Sequence, residues 1–395
     1  MSIRRNDLGL ISVHMFLIII YPLLSLVYAL FLFITRRHVY AGYLLALSLA
    51  IFSTIYIPNS SADLSRWFLI YEDIANGGYS ALVSWLKTRP DSLAYIFIYF
   101  SSNLGFSKEI LSFVVILLSY SIYINIFYRE VNNKVINYTH YALFGLVFLF
   151  ALDHRVILLG VRQGLAIVVC IFALHYYINE RINKAFMLFA IAMAIHFMSF
   201  AIIVIFLISK YIGKKSQNYI VVVSLLLMAL PIDNHLKSLV NTALPFMSSE
   251  SSAILETYTV GYWGQGYAND LSEKGRIQAL ITMIPLMAAY VYLLLFKNDS
   301  YYRNALSLSL LLVSAVSFSD TLLLRYSVVP TLLLPICFIS EIKTKINNKL
   351  MLVFPVYCLL FIAMIYSSRH SILLTGESFL IMNVYEIINF NVEPY

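Results

Sequence analysis

Long hydrophobic stretches recur along the chain from residue 10 to residue 367, and short polar segments separate them. A helix needs about 18 or more apolar residues to cross the hydrocarbon core of a bilayer. The stretches are apolar throughout and do not alternate with period two, so they predict helices and exclude the strands of a membrane barrel. The predicted spans are 10–34, 39–57, 109–128, 138–152, 160–178, 219–232, 277–297, 301–318, 322–340 and 350–367.

Two further apolar segments do not fit this series as single spans. Lys and Arg in short connections mark the cytoplasmic side of a membrane, and basic connections flank 185–209 at both ends. This segment therefore predicts a pair of short helices, with His196 near an outward-facing turn. The segment 92–105 predicts a re-entrant or interfacial helix. The same rule places an external loop at 58–91 and a larger one at 233–276.

The composition agrees with a membrane protein, because 61% of the 395 residues are hydrophobic and only 12% are charged. No shift in composition divides the chain, so we expect one all-α polytopic domain over 1–395 with about 10–13 transmembrane or re-entrant helices. The basic N-terminus precedes an apolar run that is too long for a signal peptide, which predicts a retained first span. The net charge of +7 is spread over many loops, which favours membrane orientation over nucleic-acid binding.

The external loop 58–91 contains an amphipathic pattern. Apolar residues from Trp67 to Ile74 recur at helical spacing, which predicts a helix lying in the membrane interface. Asp63 and Arg66 are one turn apart at the start of this helix. Two roles remain open for Asp63: capping of free backbone N–H groups, and action as an acid or base.

Arg155 and Arg162 are the best candidates for a phosphate site. They are seven residues apart, so a helix that starts near residue 154 would place both on one face at the outer membrane boundary. A helix N-terminus adds unpaired N–H groups that favour an anion, and Gln163 adds a polar neighbour. The alternative is that each Arg only reaches out to lipid headgroups.

His196 is the main candidate for proton transfer. A single His on an apolar face is usually a core residue, but its place near an outward-facing turn favours a functional role. With no Asp, Glu or second His within a few residues, metal coordination is poorly supported. If functional, His196 would accept a proton or donate a hydrogen bond.

Further candidate binding residues lie in the C-terminal half. Arg276 stands at the end of the large external loop, and Arg325 lies within a predicted span, where an Arg is costly enough to suggest function. Tyr262, Trp263 and Tyr267 alternate with glycines in the same loop. Their rings suit stacking on sugar faces, and the composition equally suits an interfacial lid.

Several short motifs, taken in order, resemble bacterial polysaccharide polymerases of the EpsG-like and Wzy kind, which include O-antigen polymerases. The motifs are "SADLSRWFLIY" after the second span, "RQGLA" at 162–166, "AIHFMSFA" at 194–201, "LLRYSVVP" at 323–330 and the final "PY". Each motif is short, so the resemblance depends on their order and spacing over most of the chain.

The resemblance implies a glycosyltransferase of the bacterial inner membrane whose site faces the periplasm. We expect no metal and no cofactor, since no carboxylate pair at ligand spacing faces outward and the arginines can carry the charge. Such enzymes transfer a growing glycan from undecaprenyl diphosphate to the non-reducing end of a lipid-linked repeat unit. The implied partners are that lipid-linked oligosaccharide, the bilayer, a chain-length regulator and a flippase of the same pathway. Two alternatives remain open: a lipid-linked oligosaccharide flippase, and an O-antigen ligase or another polyprenol-dependent glycosyltransferase. The expected catalytic residues are Arg162, His196 and Asp63, and the expected binding residues are Arg66, Arg155, Gln163, Arg276, Arg325, Tyr262, Trp263 and Tyr267.

Overall fold

The computed structural model describes residues 5–58, 62–88, 91–132, 134, 136–229, 273–296, 300–341, 355–359 and 382–388, with four single positions elsewhere. The described residues are almost entirely helical and include no strand. Within them, four helical stretches are long and apolar enough to cross a membrane, and six further apolar helices are shorter. The predicted all-α polytopic membrane fold is confirmed.

The first of two compact units comprises residues 1–201 and 364–395. Its helix α9 packs against α6 and α10, α3 packs against α2 and α6, and α4 packs against α5 and α8. The helices of this unit are α1 (Arg5–Ile20), α2 (Pro22–Thr35), α3 (Val39–Ser53), α4 (Asp63–Thr88), α5 (Ser92–Asn103), α6 (Ile110–Asn132), α7 (Tyr138–Ala151), α8 (His154–Leu159), α9 (Val161–Ile178), α10 (Ile182–Ile195) and a short helix at Val384–Ile388.

The second unit comprises residues 202–363. In this unit α14 packs against α12 and α15, and α13 packs against α15. The helices are α11 (Ser199–Ser209), which begins just before the unit, α12 (Lys214–Ala229), α13 (Glu273–Leu295), α14 (Tyr301–Ala315) and α15 (Asp320–Glu341). The predicted span 350–367 lies mostly outside the described residues, and the expectation of one domain over 1–395 stays a prediction.

Two apolar segments are divided into shorter helices. The predicted span 10–34 is not one continuous helix, because α1 ends at Ile20 and α2 begins at Pro22. Proline has no N–H to continue a helix and is tolerated in the first turn of a new one. The predicted helix pair within 185–209 is confirmed, since the chain is extended at His196 (φ −155°, ψ 113°) between α10 and α11.

Helices α4 and α5 support the region where the candidate site lies. The amphipathic helix predicted in 58–91 is present as α4, with Trp67 and Ile74 buried and Arg66 exposed. Gly78 has a positive φ of 59°, which glycine adopts without steric cost, and it kinks α4. Helix α5, in the segment 92–105, has 12 residues and is too short for a full span. The interfacial and external positions of these segments stay predictions.

Candidate functional site

Arg162 lies at the start of α9, where Gly160 is the N-cap and Val161 the first helical residue. Its guanidinium carbon lies 4.4 Å from the centre of the Trp67 ring on α4. Its Nη1 donates to Oδ2 of Asp91 in an ion pair. The Arg162 side chain keeps 15% of its surface exposed. The charge at the N-terminus of α9 is therefore held between an aromatic face and a carboxylate while remaining partly accessible.

Asp91 connects three separate segments of the first unit. Its side chain is only 2% exposed, and its two oxygens have different partners. Oδ2 accepts from Arg162, whereas Oδ1 accepts the backbone N–H of Phe197 at 2.9 Å. The same Oδ1 lies 3.5 Å from Nδ1 of His196. We call Trp67, Asp91, Arg162, His196 and Phe197 the Asp91 cluster.

Asp91 occupies the N-cap position of α5, yet its carboxylate makes no capping hydrogen bond to that helix. An Asp at an N-cap ordinarily accepts a backbone N–H from the first turn of its own helix. Here the carboxylate oxygens turn instead to the segments around Arg162 and Phe197. The position alone would suggest a capping residue, whereas the contacts make Asp91 the link between α9 and the turn before α11.

The partners of Asp91 keep its carboxylate ionised. Burial by itself raises the pKa of Asp91, but the neighbouring His196 ring, the Arg162 charge and the Phe197 N–H all lower it. The lowering contributions prevail, so the pKa of Asp91 lies below its ordinary value of 3.8. Asp91 is therefore an anion at neutral pH and balances the charge of Arg162.

A close approach of α8 and α9 fixes the position of Arg162. A Cβ atom added at Gly164 would lie 2.7 Å from Cδ1 and 2.9 Å from Cα of Ile157. Only glycine fits so near a backbone atom. Gly164, the glycine of "RQGLA", lies two residues after Arg162. It thus allows the first turn of α9 to pack directly against α8.

One donor of Arg162 remains unused in the described part of the chain. Its Nε is buried and has no hydrogen-bond partner there. Buried polar groups normally have a partner, and an exception calls for an explanation. A guanidinium with a remaining donor and a partly exposed edge can donate to an anionic oxygen of a ligand.

Aromatic side chains extend from the cluster along α4 and α5. Tyr95 lies beside Trp67, with ring centres 5.3 Å apart, and stacks on Trp85 at 5.8 Å. The indole N–H of Trp85 donates to Asp73 at 2.7 Å. These contacts keep the Trp67 ring in place beneath Arg162.

Asp63 lies one turn before Trp67 on α4, and Arg66 directly precedes Trp67. They form an ion pair of 2.7 Å, in which the side chain of Arg66 is 53% exposed and that of Asp63 is 24% exposed. Asp63 therefore pairs on the surface with its own helix neighbour. Gln163 follows Arg162 in α9 and is partly buried. The roles assigned to these three residues stay predictions.

The remaining predicted residues are not brought to the Asp91 cluster by any described contact. Arg325 lies in α15 and is partly buried, and Arg276 lies in α13 with its side chain outside the described residues. Both belong to the second unit. The side chain of Arg155 is likewise outside the described residues. Those of Tyr262, Trp263 and Tyr267 are outside them as well.

The expectation of one helix starting near residue 154 is wrong. Helix α8 ends at Leu159, Gly160 is non-helical (φ −101°, ψ 46°), and α9 begins at Val161. The seven-residue spacing of Arg155 and Arg162 therefore does not place them on one helical face. The break has another effect, because it puts Arg162 in the first turn of a new helix.

Sequence reasoning missed Asp91, Trp67 as the ring beneath Arg162, and the Phe197 N–H. An Asp directly before an apolar segment is a signal in the sequence, but it predicts an N-cap. The separations of 71 and 106 residues along the chain hide the actual partners. Within the described ranges, no group of three or more His, Cys, Asp or Glu residues could hold a metal ion.

Comparison with known proteins gives one match. The model of the family described as the EpsG family matches residues 39–380, which is most of the chain and includes the whole Asp91 cluster. Neither a curated protein nor a solved structure matches the sequence. At family level the match supports a membrane-bound polysaccharide polymerase, a glycosyltransferase-like activity. The protein is therefore a member of the EpsG family.

Proposed function

We propose that this protein is the polymerase of a bacterial surface polysaccharide such as the O-antigen. It transfers the growing glycan from undecaprenyl diphosphate to the non-reducing end of a lipid-linked repeat unit, at the periplasmic face of the inner membrane. Family membership supports the general activity. The lipid carrier, the O-antigen product and the membrane face are the proposed part.

The arrangement of Arg162 is the observation that carries the proposal. Its guanidinium lies in the first turn of α9, against Trp67 and Asp91, with a buried Nε–H that no described residue uses. A departing lipid diphosphate gains negative charge as its bond to the sugar breaks. A fixed guanidinium and the free N–H groups of a helix N-terminus stabilise such a developing charge. Arg162 is therefore assigned to the diphosphate.

The proposed step is a displacement at the anomeric carbon of the donor glycan. A hydroxyl oxygen of the acceptor sugar forms a bond to that carbon while the bond from the carbon to the diphosphate oxygen breaks. The hydroxyl proton passes to a base, and undecaprenyl diphosphate leaves as the anion. His196 is the first candidate for the base, since it lies next to the Asp91 carboxylate. Asp63 is the second candidate.

The other predicted residues keep supporting roles in this proposal. Gln163 adjoins Arg162 and orients the same diphosphate. Tyr262, Trp263 and Tyr267 would stack on sugar rings of donor or acceptor. Arg155 and Arg325 are proposed to bind further diphosphate oxygens. Arg66 and Arg276 are weaker candidates for the same role. A chain-length regulator and a flippase are the proposed protein partners.

Deletion of the gene tests the activity. Surface glycan extracted from the deletion strain is separated on a gel and compared with that of the wild type and of a strain complemented with the gene. Loss of the ladder with retention of a single-repeat band supports a polymerase. Loss of every band, the single repeat included, would instead point to a flippase or a ligase and would overturn the proposal.

Substitution of Arg162 tests the site. We expect Arg162→Ala to abolish chain extension and Arg162→Lys to restore little, because an ammonium cannot replace the planar two-point contact of a guanidinium. Arg181 is the matched control, since it is an exposed Arg in the α9–α10 connection. Arg181→Ala should leave the ladder unchanged. The amount of each variant in membranes is measured on a tagged chain.

A wild-type chain-length distribution in Arg162→Ala would refute the diphosphate assignment. Full activity in Arg162→Lys would refute the two-point contact while leaving a charge requirement in place. Equal loss in Arg162→Ala and Arg181→Ala would show that arginine content in general, and not this position, affects the ladder.

A further inference from the structure

We infer that Asp91 is the positioning residue of this site, the carboxylate that orients His196 for proton transfer while holding Arg162 toward the diphosphate. This inference rests on the proposed function, because it assigns a role within the same reaction. Asp91 lies outside the sequence motifs named above. Its role is inferred from the contacts that it makes in the folded chain.

The first step concerns the burial of Asp91. Its carboxylate is 2% exposed, and it makes no capping bond to the helix that it precedes. Taking a carboxylate out of water costs several kcal/mol unless paired charges and hydrogen bonds compensate. A cap or a surface contact would not require this burial. The compensation comes from Arg162 and from the Phe197 N–H.

The second step concerns the division of the two oxygens. Oδ2 faces Arg162, and Oδ1 faces the turn that carries His196 and Phe197. The Phe197 N–H, at 2.9 Å, fixes the direction of Oδ1 from the backbone. The carboxylate is therefore held by a rigid donor on one side and by a charge on the other.

The third step concerns the imidazole. Nδ1 of His196 lies 3.5 Å from Oδ1, and the His196 side chain is 8% exposed. A carboxylate beside Nδ1 favours the tautomer that carries its proton there, which places the lone pair of the neutral ring on Nε2. The same carboxylate stabilises the imidazolium that forms when Nε2 takes a proton. Asp91 would thus make His196 a better base without touching the substrate.

The fourth step concerns the connection between the two functional groups. Arg162 lies in α9 and His196 in the turn between α10 and α11, and Asp91 is in direct contact with Arg162 and adjacent to His196. A displacement of the carboxylate would move the guanidinium and the imidazole together. Catalytic geometry tolerates little displacement, since misplacement by about 1 Å can cost about 100-fold in rate.

The experiment uses the full-length protein, purified in detergent and reconstituted in nanodiscs. The substrate is the native lipid-linked repeat unit, extracted from a strain that lacks the gene, and chain extension is followed by gel and mass spectrometry. The variants are Asp91→Asn, Asp91→Glu, His196→Gln and the double variant Asp91→Asn/His196→Gln. Glu72→Gln is the control, because Glu72 pairs with Lys108 at 2.7 Å on the same unit and is 49% exposed.

We expect Asp91→Asn to lower kcat by about 10²- to 10⁴-fold, the usual contribution of a positioned acid or base. KM should change by less than about threefold, because the inferred role of Asp91 involves no contact with the acceptor. The double variant should be slower than His196→Gln, but by clearly less than the product of the two single losses, since one of the two groups that Asp91 positions is already gone. Glu72→Gln should retain wild-type kinetics.

Wild-type kcat in Asp91→Asn, or losses that multiply in the double variant, would overturn the inference. If Asp91→Asn fails to fold, Asp91→Glu decides, because it keeps the charge that Arg162 requires and displaces the carboxylate by one methylene. A folded Asp91→Glu with wild-type kcat would refute the positioning role, and one with a lowered kcat supports it. Failure of the proposed function looks different: the wild-type protein itself would extend no chains.

Discussion

Replacement of Arg162 by Ala tests how much the ion pair with Asp91 contributes to the stability of the folded protein. In the folded chain the side chain of Arg162 is 15% exposed and that of its partner Asp91 is 2% exposed. Removing one partner of a buried ion pair costs about 3–5 kcal/mol, because the other charge stays buried. The position of the guanidinium over Trp67 adds about 0.5–2 kcal/mol. Since Arg162 is partly exposed, we expect Arg162→Ala to reduce the free energy of unfolding by about 3 kcal/mol, toward the lower end of that range.

A double variant separates the ion pair from the packing. In Arg162→Ala/Asp91→Asn both charges are gone, so no charge is left buried and most of the penalty disappears. The summed losses in free energy of unfolding for Arg162→Ala and Asp91→Asn should therefore exceed the loss for the double variant. The difference, the coupling free energy, should be about 2–3 kcal/mol, as expected for directly contacting residues. Arg66→Ala is the matched control, because its pair with Asp63 lies on the surface and should contribute about 0–1 kcal/mol.

The assay is unfolding of the purified protein by SDS titration in mixed micelles, followed by circular dichroism and by Trp fluorescence. The chain has 3 Trp residues, one of which, Trp67, lies beneath Arg162. A cost for Arg162→Ala no larger than that for Arg66→Ala, or additive effects of the two single changes, would refute the buried-pair reasoning.

Three further predictions concern separate features of the molecule. Gly164→Ala should lower the free energy of unfolding by about 1–3 kcal/mol, because its Cβ would meet the Ile157 Cα at 2.9 Å. Gly9→Ala is the control, because a Cβ there would meet nothing within 4 Å, and it should leave the free energy of unfolding unchanged or raise it. Thermal denaturation of both variants measures the difference. Asn304→Ala should destabilise the protein by about 1–3 kcal/mol in SDS titration, since its side chain donates to the backbone carbonyls of Ser209, the last residue of α11, and of Ile212 at 3.0 and 2.9 Å. Because the pKa of Asp91 is lowered on folding, its charge stabilises the protein above pH 3.8, and this contribution is lost as the pH falls through the lowered pKa. The stability difference between wild type and Asp91→Asn should therefore shrink below pH 3.8, and a difference independent of pH would contradict the ionised carboxylate.

Hydrophobic length predicted most helices, because a span that faces lipid must be apolar over its whole length. Helix α9, for example, was expected at 160–178 and lies at Val161–Ile178. The helix break at His196 also followed from the sequence, through the basic connections on both sides of 185–209. The break at Pro22 was missed, since a length count ignores the missing N–H of proline.

The sequence by itself determined the class of protein, the approximate helix positions and Arg162 as the main candidate, because these depend on local composition and on the cost of a charge in an apolar segment. Only the tertiary structure decided what Arg162 contacts. Asp91 is 71 residues away along the chain, and Phe197 is 106 residues from Asp91. Such contacts result from the packing of α4, α5, α9 and α10, and no local pattern encodes them. Asp91 occupies the N-cap position of α5, but in the folded protein its carboxylate pairs with Arg162 and lies beside His196.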